Sequence, residues 1–222
     1  MAYEPAAPLF KRSTRRAAAI GVALAAVMAT AAGPALAAKK LLVIGDSIAA
    51  GYGLPAEEAF PAKLEEALRA RGHDIKVVNG GISGDTTAGG KARLAWALAS
   101  QPDYVIIELG GNDGLRGLDP ADTRANLDAM LTALRKANVP VLLTGMMAPR
   151  NLGPQYEKKF DAIFPALAKK HGVPLYPFFL DGIALDPKYN QPDLIHPNAK
   201  GVAVIVERIL PAVEKLIGKP GE

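Results

Sequence analysis

Hydrophobic residues along this chain alternate between short continuous runs and longer stretches in which they recur at helical spacing. The runs are mostly aliphatic, and most of them end at a glycine or in a glycine-rich segment. Continuous runs of this kind are typical of strands buried on both faces of a parallel sheet. The predicted strands cover residues 41–44, 75–78, 104–109, 141–143 and 173–176.

The stretches between the runs have the apolar spacing of amphipathic helices. Leu64, Ala67 and Leu68 illustrate the pattern, because residues three and four apart fall on one helix face. Asp119, followed by a proline, and Asn198 are typical residues for helix starts. The predicted helices cover residues 57–71, 88–99, 120–137, 155–171 and 199–217.

The regular alternation of strands and helices predicts an α/β fold. Right-handed crossovers would place helices on both faces of the sheet, which gives one three-layer α/β/α sandwich with a five-stranded parallel sheet. In such sheets ligands bind beyond the carboxyl ends of the strands. The glycine-rich and polar segments after the first three strands are therefore the first places to look for a functional site.

Composition agrees with one domain and removes several classes of function. The chain has 222 residues, half of them hydrophobic, and no cysteine. That length suits one well-buried core. The formal charge of +4 comes mainly from four basic residues between Lys11 and Arg16, set against Glu4, and about +1 remains for the rest. This is too little for a nucleic-acid interface. Three histidines without clustered ligand spacing argue against a metal site, and no organic cofactor is expected.

The first 37 residues have the pattern of an export signal peptide. A basic stretch precedes a small-apolar run from Ala17 to about Gly33, and the segment 34–37 reads Pro-Ala-Leu-Ala, an A-x-A cleavage pattern. We expect cleavage after Ala37 and a periplasmic or secreted mature domain over residues 38–222. This domain would lie outside the cytoplasm and would not be stably inserted in the membrane. An uncleaved anchor is the alternative, and the paired arginines 15 and 16 leave both twin-arginine and general export open.

A serine follows the first predicted strand. Ser47 lies in the segment Gly-Asp-Ser, where the rim of the sheet would present its hydroxyl to solvent. Serine needs a base within hydrogen-bond reach to act as a nucleophile. The alternative is that Asp46 or Ser47 merely caps the following turn.

The segments after the second and third strands can supply hydrogen-bond donors. Glycines around Gly84 let the backbone approach a ligand closely. The carboxamide of Asn112 can donate toward an anionic oxygen, and with the N–H groups of Ser47 and Gly84 it would form an oxyanion hole. Ordinary turns, with Asp85 or Thr86 capping the next helix, are the alternative.

The candidate base lies far downstream. Asp193 precedes His196 by three residues on a loop that enters the last helix, so its carboxylate can turn to the Nδ1 atom of the ring. His73 lies in a turn and His171 at a helix end, and both are interpreted as structural. His196 is preferred because it alone has a carboxylate at a useful spacing in a strand-end loop.

These four segments together resemble the SGNH/GDSL hydrolase family, and within it the bacterial thioesterase I, arylesterase and lysophospholipase group. The matching stretches are IGDSIAAGYGL (44–54), VVNGGISGDTTAGG (77–90), IELGGNDGLRG (107–117) and DLIHPN (193–198). The resemblance implies a flavodoxin-like sheet and a serine hydrolase that cleaves carboxylic esters through an acyl-enzyme. It implies aryl or short-to-medium acyl esters as substrates, with thioesters and lysophospholipids as further candidates.

Carried over residue by residue, the resemblance implies Ser47 as nucleophile, with Asp193 and His196 as its partners. It implies the oxyanion hole of Ser47, Gly84 and Asn112. Relatives place part of the acyl pocket after strand four, and the loop after Asn112 can shape the same pocket. The predicted substrate contacts are Gly114, Met146, Met147 and Pro149.

Other readings of the sequence fit less well. An α/β-hydrolase would need a G-x-S-x-G turn, and alanine stands at position 49 instead of the second glycine. A dinucleotide-binding fold would need a third glycine where Ala56 stands. The remaining alternative is a non-catalytic binding protein outside the cytoplasm, in which the same loops hold a ligand without turnover.

Overall fold

Five strands within the described residues match the five aliphatic runs of the sequence. The computed structural model describes residues 38–220, together with residues 1, 2 and 4. Three strands extend by one to three residues beyond the predicted runs, whereas the fifth is shorter and has only two residues. The strands are β1 (Lys39–Gly45), β2 (Ile75–Gly81), β3 (Tyr104–Glu108), β4 (Val141–Thr144) and β5 (Leu175–Tyr176).

The strands form one parallel sheet in the order β2-β1-β3-β4-β5. This confirms the predicted five-stranded parallel sheet and its flavodoxin-like order. The strand order reverses at β1, which pairs with β2 on one side and with β3 on the other. Segments that leave the carboxyl ends of β1 and β3 therefore diverge and open a crevice between them.

Helices cover both faces of the sheet, which confirms the three-layer architecture. One layer holds α2 and α8, which contact each other, and the other holds α3, α5 and α7. The short helices α1 and α4 directly follow strands β1 and β3. The helices are α1 (Ser47–Ala50), α2 (Phe60–Ala70), α3 (Thr87–Leu98), α4 (Gly111–Leu115), α5 (Pro120–Lys136), α6 (Pro154–Asp161), α7 (Ile163–His171) and α8 (Ala199–Ile217).

The core lies around the central strand β1. Its residues Leu41, Leu42, Val43 and Ile44 are at most 3% exposed, because helices cover both faces. Burying each such side chain contributes about 1.5–3 kcal/mol before entropy costs. A rigid central strand of this kind fixes the position of whatever follows it at Gly45.

Two predicted helices differ from the observed ones. Residues 155–171 form two helices, α6 and α7, instead of one continuous helix. Pro165 explains the break, because it has no N–H to donate to the carbonyl of Asp161 and its ring crowds that carbonyl. The helix predicted over 57–71 begins only at Phe60, after a 3₁₀ turn.

The predicted export signal lies almost wholly outside the described residues and stays a prediction. The chain divides into two units, Met1–Ala37 and Ala38–Glu222. Among the residues that the structure describes, no helix has both the length and the apolar content needed to cross a bilayer.

Candidate active site

The nucleophile candidate lies where the central strand turns into a short helix. Ser47 is the first residue of α1 and is 8% exposed. Asp46 precedes it as the N-cap, and its Oδ1 accepts a hydrogen bond from Ile48 N at 3.0 Å. The alternative of a capping Asp46 is therefore observed, and it does not involve the Ser47 hydroxyl. The serine lies at the end of the strand as expected, but it is buried rather than exposed to solvent. Gly51, with φ of 82°, ends the helix after one turn.

The structure brings the three predicted catalytic side chains together. Ser47 Oγ lies 2.9 Å from His196 Nε2, although 149 residues separate them in sequence. On the other side of the ring, His196 Nδ1 lies 2.6 Å from Asp193 Oδ2. A serine, an imidazole and a carboxylate in this linear order can move a proton from the hydroxyl to the ring.

Asp193 also organises the backbone that carries the histidine. Its Oδ1 accepts hydrogen bonds from the backbone N–H groups of Ile195 at 2.9 Å and His196 at 3.0 Å. The side-chain hydrogen bond from His196, followed by its backbone N–H, lowers the pKa of Asp193 to about 2. The carboxylate is therefore charged at neutral pH. Leu194, with φ of 58°, makes the tight turn between them.

Gln191 holds the histidine loop against the loop after β1, and the sequence interpretation missed it. Its side-chain Nε2 donates to Tyr52 O at 2.7 Å and to Pro197 O at 3.0 Å. Its backbone N–H donates to His196 O at 2.8 Å. The ring of Tyr52 lies against the His196 ring, with 4.5 Å between centroids. No pattern within either loop could have indicated these contacts, since the two loops are distant in sequence.

The three predicted oxyanion donors lie in the segments that follow β1, β2 and β3, and their shared role stays a prediction. Gly84 adopts a left-handed conformation, with φ of 83°, and its N–H has no acceptor in the described part of the chain. The N–H of Ser47, in the first turn of α1, likewise has no intrahelical acceptor. Asn112 lies on α4 rather than in an open loop, and its Nδ2 donates to Asp46 Oδ2 at 3.1 Å. That leaves the second amide hydrogen of Asn112 for a ligand.

A pair of buried carboxyl groups lies beneath the nucleophile, and sequence interpretation missed it. Glu108 is fully buried, and its Oε2 accepts a hydrogen bond from Asp46 N at 3.1 Å. Burial raises the pKa of Glu108 well above its usual range, and the nearby Asp46 carboxylate adds to the effect. Burial also raises the pKa of Asp46 to about 6. Burial therefore disfavours the charged form of both carboxyl groups.

The other two histidines also have carboxylate partners, although not at a local sequence spacing like that of Asp193 and His196. His171 Nε2 lies 2.6 Å from Asp128 Oδ1, and His73 Nε2 lies 3.6 Å from Glu214 Oε1. These partners come from other helices, so sequence spacing did not indicate them. What distinguishes His196 is its contact with Ser47. In the described residues, no cluster of three or more His, Asp or Glu side chains is placed to hold a metal ion.

The four predicted substrate contacts fall into two groups. Gly114 and Pro149 lie together, since a Cβ atom added at Gly114 would be 3.3 Å from Pro149 Cδ. Met146 is 4% exposed and belongs to the hydrophobic core, whereas its neighbour Met147 is 48% exposed. Their assignment to a substrate pocket stays a prediction.

Comparison with known proteins finds a family and individual relatives that match most of the chain. Residues 43–204 match the GDSL-like Lipase/Acylhydrolase family. The chain is 43% identical over 182 residues to Esterase TesA of Pseudomonas aeruginosa, covering 82% of this chain and 90% of that protein. It is 42% identical over 184 residues to Thioesterase 1/protease 1/lysophospholipase L1 of Escherichia coli (strain K12), covering 82% of this chain and 87% of that protein.

A solved structure extends the similarity to three dimensions. The crystal structure of AlinE4, an SGNH-hydrolase family esterase, superposes with a TM-score of 0.69 at 47% sequence identity. The alignment covers 82% of this chain and 97% of AlinE4. The family match spans most of the chain and includes all three residues of the Ser47–His196–Asp193 arrangement. The chain therefore belongs to the GDSL-like lipase/acylhydrolase family.

Proposed function

We propose that this protein is a serine hydrolase that cleaves carboxylic esters through an acyl-enzyme on Ser47. The observation that carries the proposal is the 2.9 Å contact between Ser47 Oγ and His196 Nε2. The Asp193 carboxylate on the far side of the ring fixes the tautomer in which Nε2 can accept the serine proton. The names of the relatives, which include esterase and thioesterase, support the same reaction class.

The reaction follows from this geometry. His196 Nε2 takes the hydroxyl proton of Ser47 as Oγ attacks the ester carbonyl carbon. The imidazolium, stabilised by Asp193, then protonates the leaving alkoxide or phenoxide, and the acyl group remains on Ser47. Water then attacks the acyl carbon and gives a proton to His196. His196 returns this proton to Ser47 Oγ as the bond between Oγ and the acyl carbon breaks, which releases the carboxylic acid. The protein's own residues supply every proton transfer in this sequence.

The negative oxygen of the tetrahedral intermediate needs donors that are already in place. The N–H groups of Ser47 and Gly84 and the free amide hydrogen of Asn112 form this oxyanion hole. Asn112 is held in orientation by Asp46, so its donor does not have to be reorganised during the reaction. Preorganised donors of this kind are each worth about 10²–10³ in kcat.

The surroundings of Ser47 favour an apolar ester. Exposed apolar side chains lie in the segments that follow the strands, at the edge of the sheet where the site lies. Apolar side chains that are exposed near a site can contact a hydrophobic group of the substrate. Aryl and short-to-medium acyl esters fit it, and acyl thioesters and lysophospholipids share the same chemistry. The side chains are Tyr52, Ile82, Leu115, Leu118, Met147, Leu194 and Ile195.

We further propose that the protein works outside the cytoplasm, in the periplasm or secreted. The support is the basic and apolar pattern of residues 1–37, which ends in an A-x-A cleavage site. The mass of the protein recovered from the periplasm of an expressing bacterium tests this. A mature chain that begins at Ala38 is expected, and a full-length chain in the cytoplasm would contradict export.

The first test of the catalytic proposal is covalent labelling. Brief treatment with a fluorophosphonate, followed by mass spectrometry, should give one adduct on Ser47, since only an activated serine reacts quickly. The His196→Ala variant should lose the adduct, and Ser47→Ala should lose hydrolysis of a short-chain p-nitrophenyl ester while keeping its fold. A folded protein that neither labels nor hydrolyses would instead be a binding protein on a hydrolase scaffold.

A further inference from the structure

Arg93, on helix α3, connects the two backbone segments that carry oxyanion donors. Its Nε donates to Asp85 Oδ2 at 2.6 Å, and its Nη2 donates to Gly45 O at 3.0 Å. The side chains of Arg93 and Asp85 are only 14% and 15% exposed. The ion pair is therefore shielded from solvent, where such bonds are stronger than at the surface.

The two residues that accept hydrogen bonds from Arg93 lie close in sequence to the predicted oxyanion donors. Gly45 is the last residue of β1 and lies two residues before Ser47. Asp85 directly follows Gly84. The ladder between β1 and β2 ends at Gly45 and Gly81, so beyond it few bonds hold the two segments together. Ile82 N donates to Gly45 O at 3.1 Å, and the Arg93 bridge is the second connection to the same carbonyl.

The helix leaves room for the carboxylate that Arg93 holds. A Cβ atom at Gly89 would lie 2.4 Å from Asp85 Oδ1, so glycine at this position lets the carboxylate pack against the first turn of α3. Asp85 is thus enclosed between the helix backbone and the guanidinium. The arrangement restricts where the Gly84 peptide can lie.

We propose that Arg93, acting with Asp85, is a positioning residue for the oxyanion hole: it fixes the separation between the Ser47 and Gly84 N–H groups. The inference rests on the proposed catalytic function of Ser47. Guanidinium is required because its planar fork carries donors on different nitrogens to two acceptors at once, whereas lysine offers a single ammonium. A donor displaced by about 1 Å can lower the rate about 10²-fold, even though Arg93 does not touch the substrate.

The test compares kcat and KM for a soluble p-nitrophenyl ester in Arg93→Met, Arg93→Lys and Asp85→Asn. We expect kcat to fall by about 10²-fold in Arg93→Met, with KM changed by less than about threefold, because the donors act in the transition state. Arg93→Lys should recover little of this loss. Adding Asp85→Asn to Arg93→Met should lower kcat by little more, since the two residues act as one unit.

Arg69→Met is the matched control. Arg69 on α2 pairs with Glu65 at 2.9 Å, and Glu65 in turn accepts a hydrogen bond from the strand at Val77 N. Because its side chain is 56% exposed, its loss should lower the melting temperature by less than the loss of Arg93 and should leave kcat unchanged. A merely structural Arg93 would behave in the same way as Arg69.

Two different results separate the failure of this inference from the failure of the proposed function. If the wild-type protein labels at Ser47 but all three variants keep kcat within about threefold, Arg93 does not position the donors. If the wild-type protein neither labels at Ser47 nor hydrolyses the ester, the catalytic function itself is wrong. Should Arg93→Met fail to fold, Arg93→Lys and Asp85→Asn decide the question by the same comparison of kcat with KM.

Discussion

Replacing Asp193 with asparagine changes one polar atom and one charge of the triad while keeping the histidine loop in place. The amide oxygen of asparagine can still accept the two backbone hydrogen bonds, from Ile195 N and His196 N, that Asp193 Oδ1 accepts. The amide nitrogen then takes the place of Oδ2, which lies 2.6 Å from His196 Nδ1. Because this nitrogen donates, Nδ1 must accept, and the ring proton moves to Nε2.

The change of tautomer alters the hydrogen bond between His196 and Ser47. With its proton on Nε2, His196 donates to Ser47 Oγ across the 2.9 Å contact and cannot receive the hydroxyl proton. A wrongly held tautomer lowers kcat by about 10³- to 10⁴-fold. This corresponds to about 4–5.5 kcal/mol in activation free energy. Folding stability should change much less, since the loop keeps its hydrogen bonds.

The assay is steady-state hydrolysis of a p-nitrophenyl ester, with melting temperatures measured on the same preparations. Asp128→Asn is the matched control, because Asp128 also lies 2.6 Å from a histidine nitrogen, on His171, but away from Ser47. The control should keep full kcat. An Asp193→Asn variant with kcat within about tenfold of wild type would refute the tautomer argument.

Three further predictions concern the donors, the packing and the buried acid. Asn112→Ala should lower kcat by about 10²–10³ with little change in KM, and an unchanged kcat would remove Asn112 from the oxyanion hole. Gly81→Ala should lower the free energy of unfolding by about 1–3 kcal/mol in urea titrations, because its Cβ would lie 2.2 Å from Ala50 N. Burial raises the pKa of Asp46 from its usual 3.8 to about 6, so its contribution to stability is greatest below 3.8 and is lost as pH rises through about 6. Urea unfolding should therefore show a loss of stability over that range in wild type that Asp46→Asn lacks, and parallel curves for the two proteins would contradict the raised pKa.

The sheet was predictable because short runs of consecutive residues are enough to indicate its strands. Four consecutive aliphatic residues, such as 41–44, can be buried only between two layers, so the sequence itself indicates a strand covered on both sides. Once the strands are parallel, their carboxyl ends share one edge. This places Ser47, Gly84 and Asn112 near each other without knowledge of any side-chain contact.

The sequence predicted helical structure over 155–171 but not the break that divides it into two helices. Apolar spacing persists across the break, since Phe160 and Phe164 are both buried in the same core. Pro165 was the available indication, and the periodicity outweighed it in the sequence interpretation. Asp161, the last residue before the break, accepts a hydrogen bond on its carboxylate from Ala148 N at 2.8 Å. That contact depends on the fold and leaves no local pattern.

The protonation of the buried acids could not be read from the sequence, because it depends on which groups the fold encloses together. Asp46 stands in a segment where a capping aspartate is ordinary, and Glu108 ends a strand whose other residues are apolar. The fold places both carboxyl groups in one buried site, where burial raises both pKa values. At Asp46 the hydrogen bonds from Ile48 N and Asn112 oppose this effect. Asp46 Oδ2 accepts a hydrogen bond from Asn112 Nδ2, which fixes the orientation of the Asn112 side chain. In the proposed mechanism, Asp46 therefore orients the donor Asn112, whereas Asp193 orients the base His196.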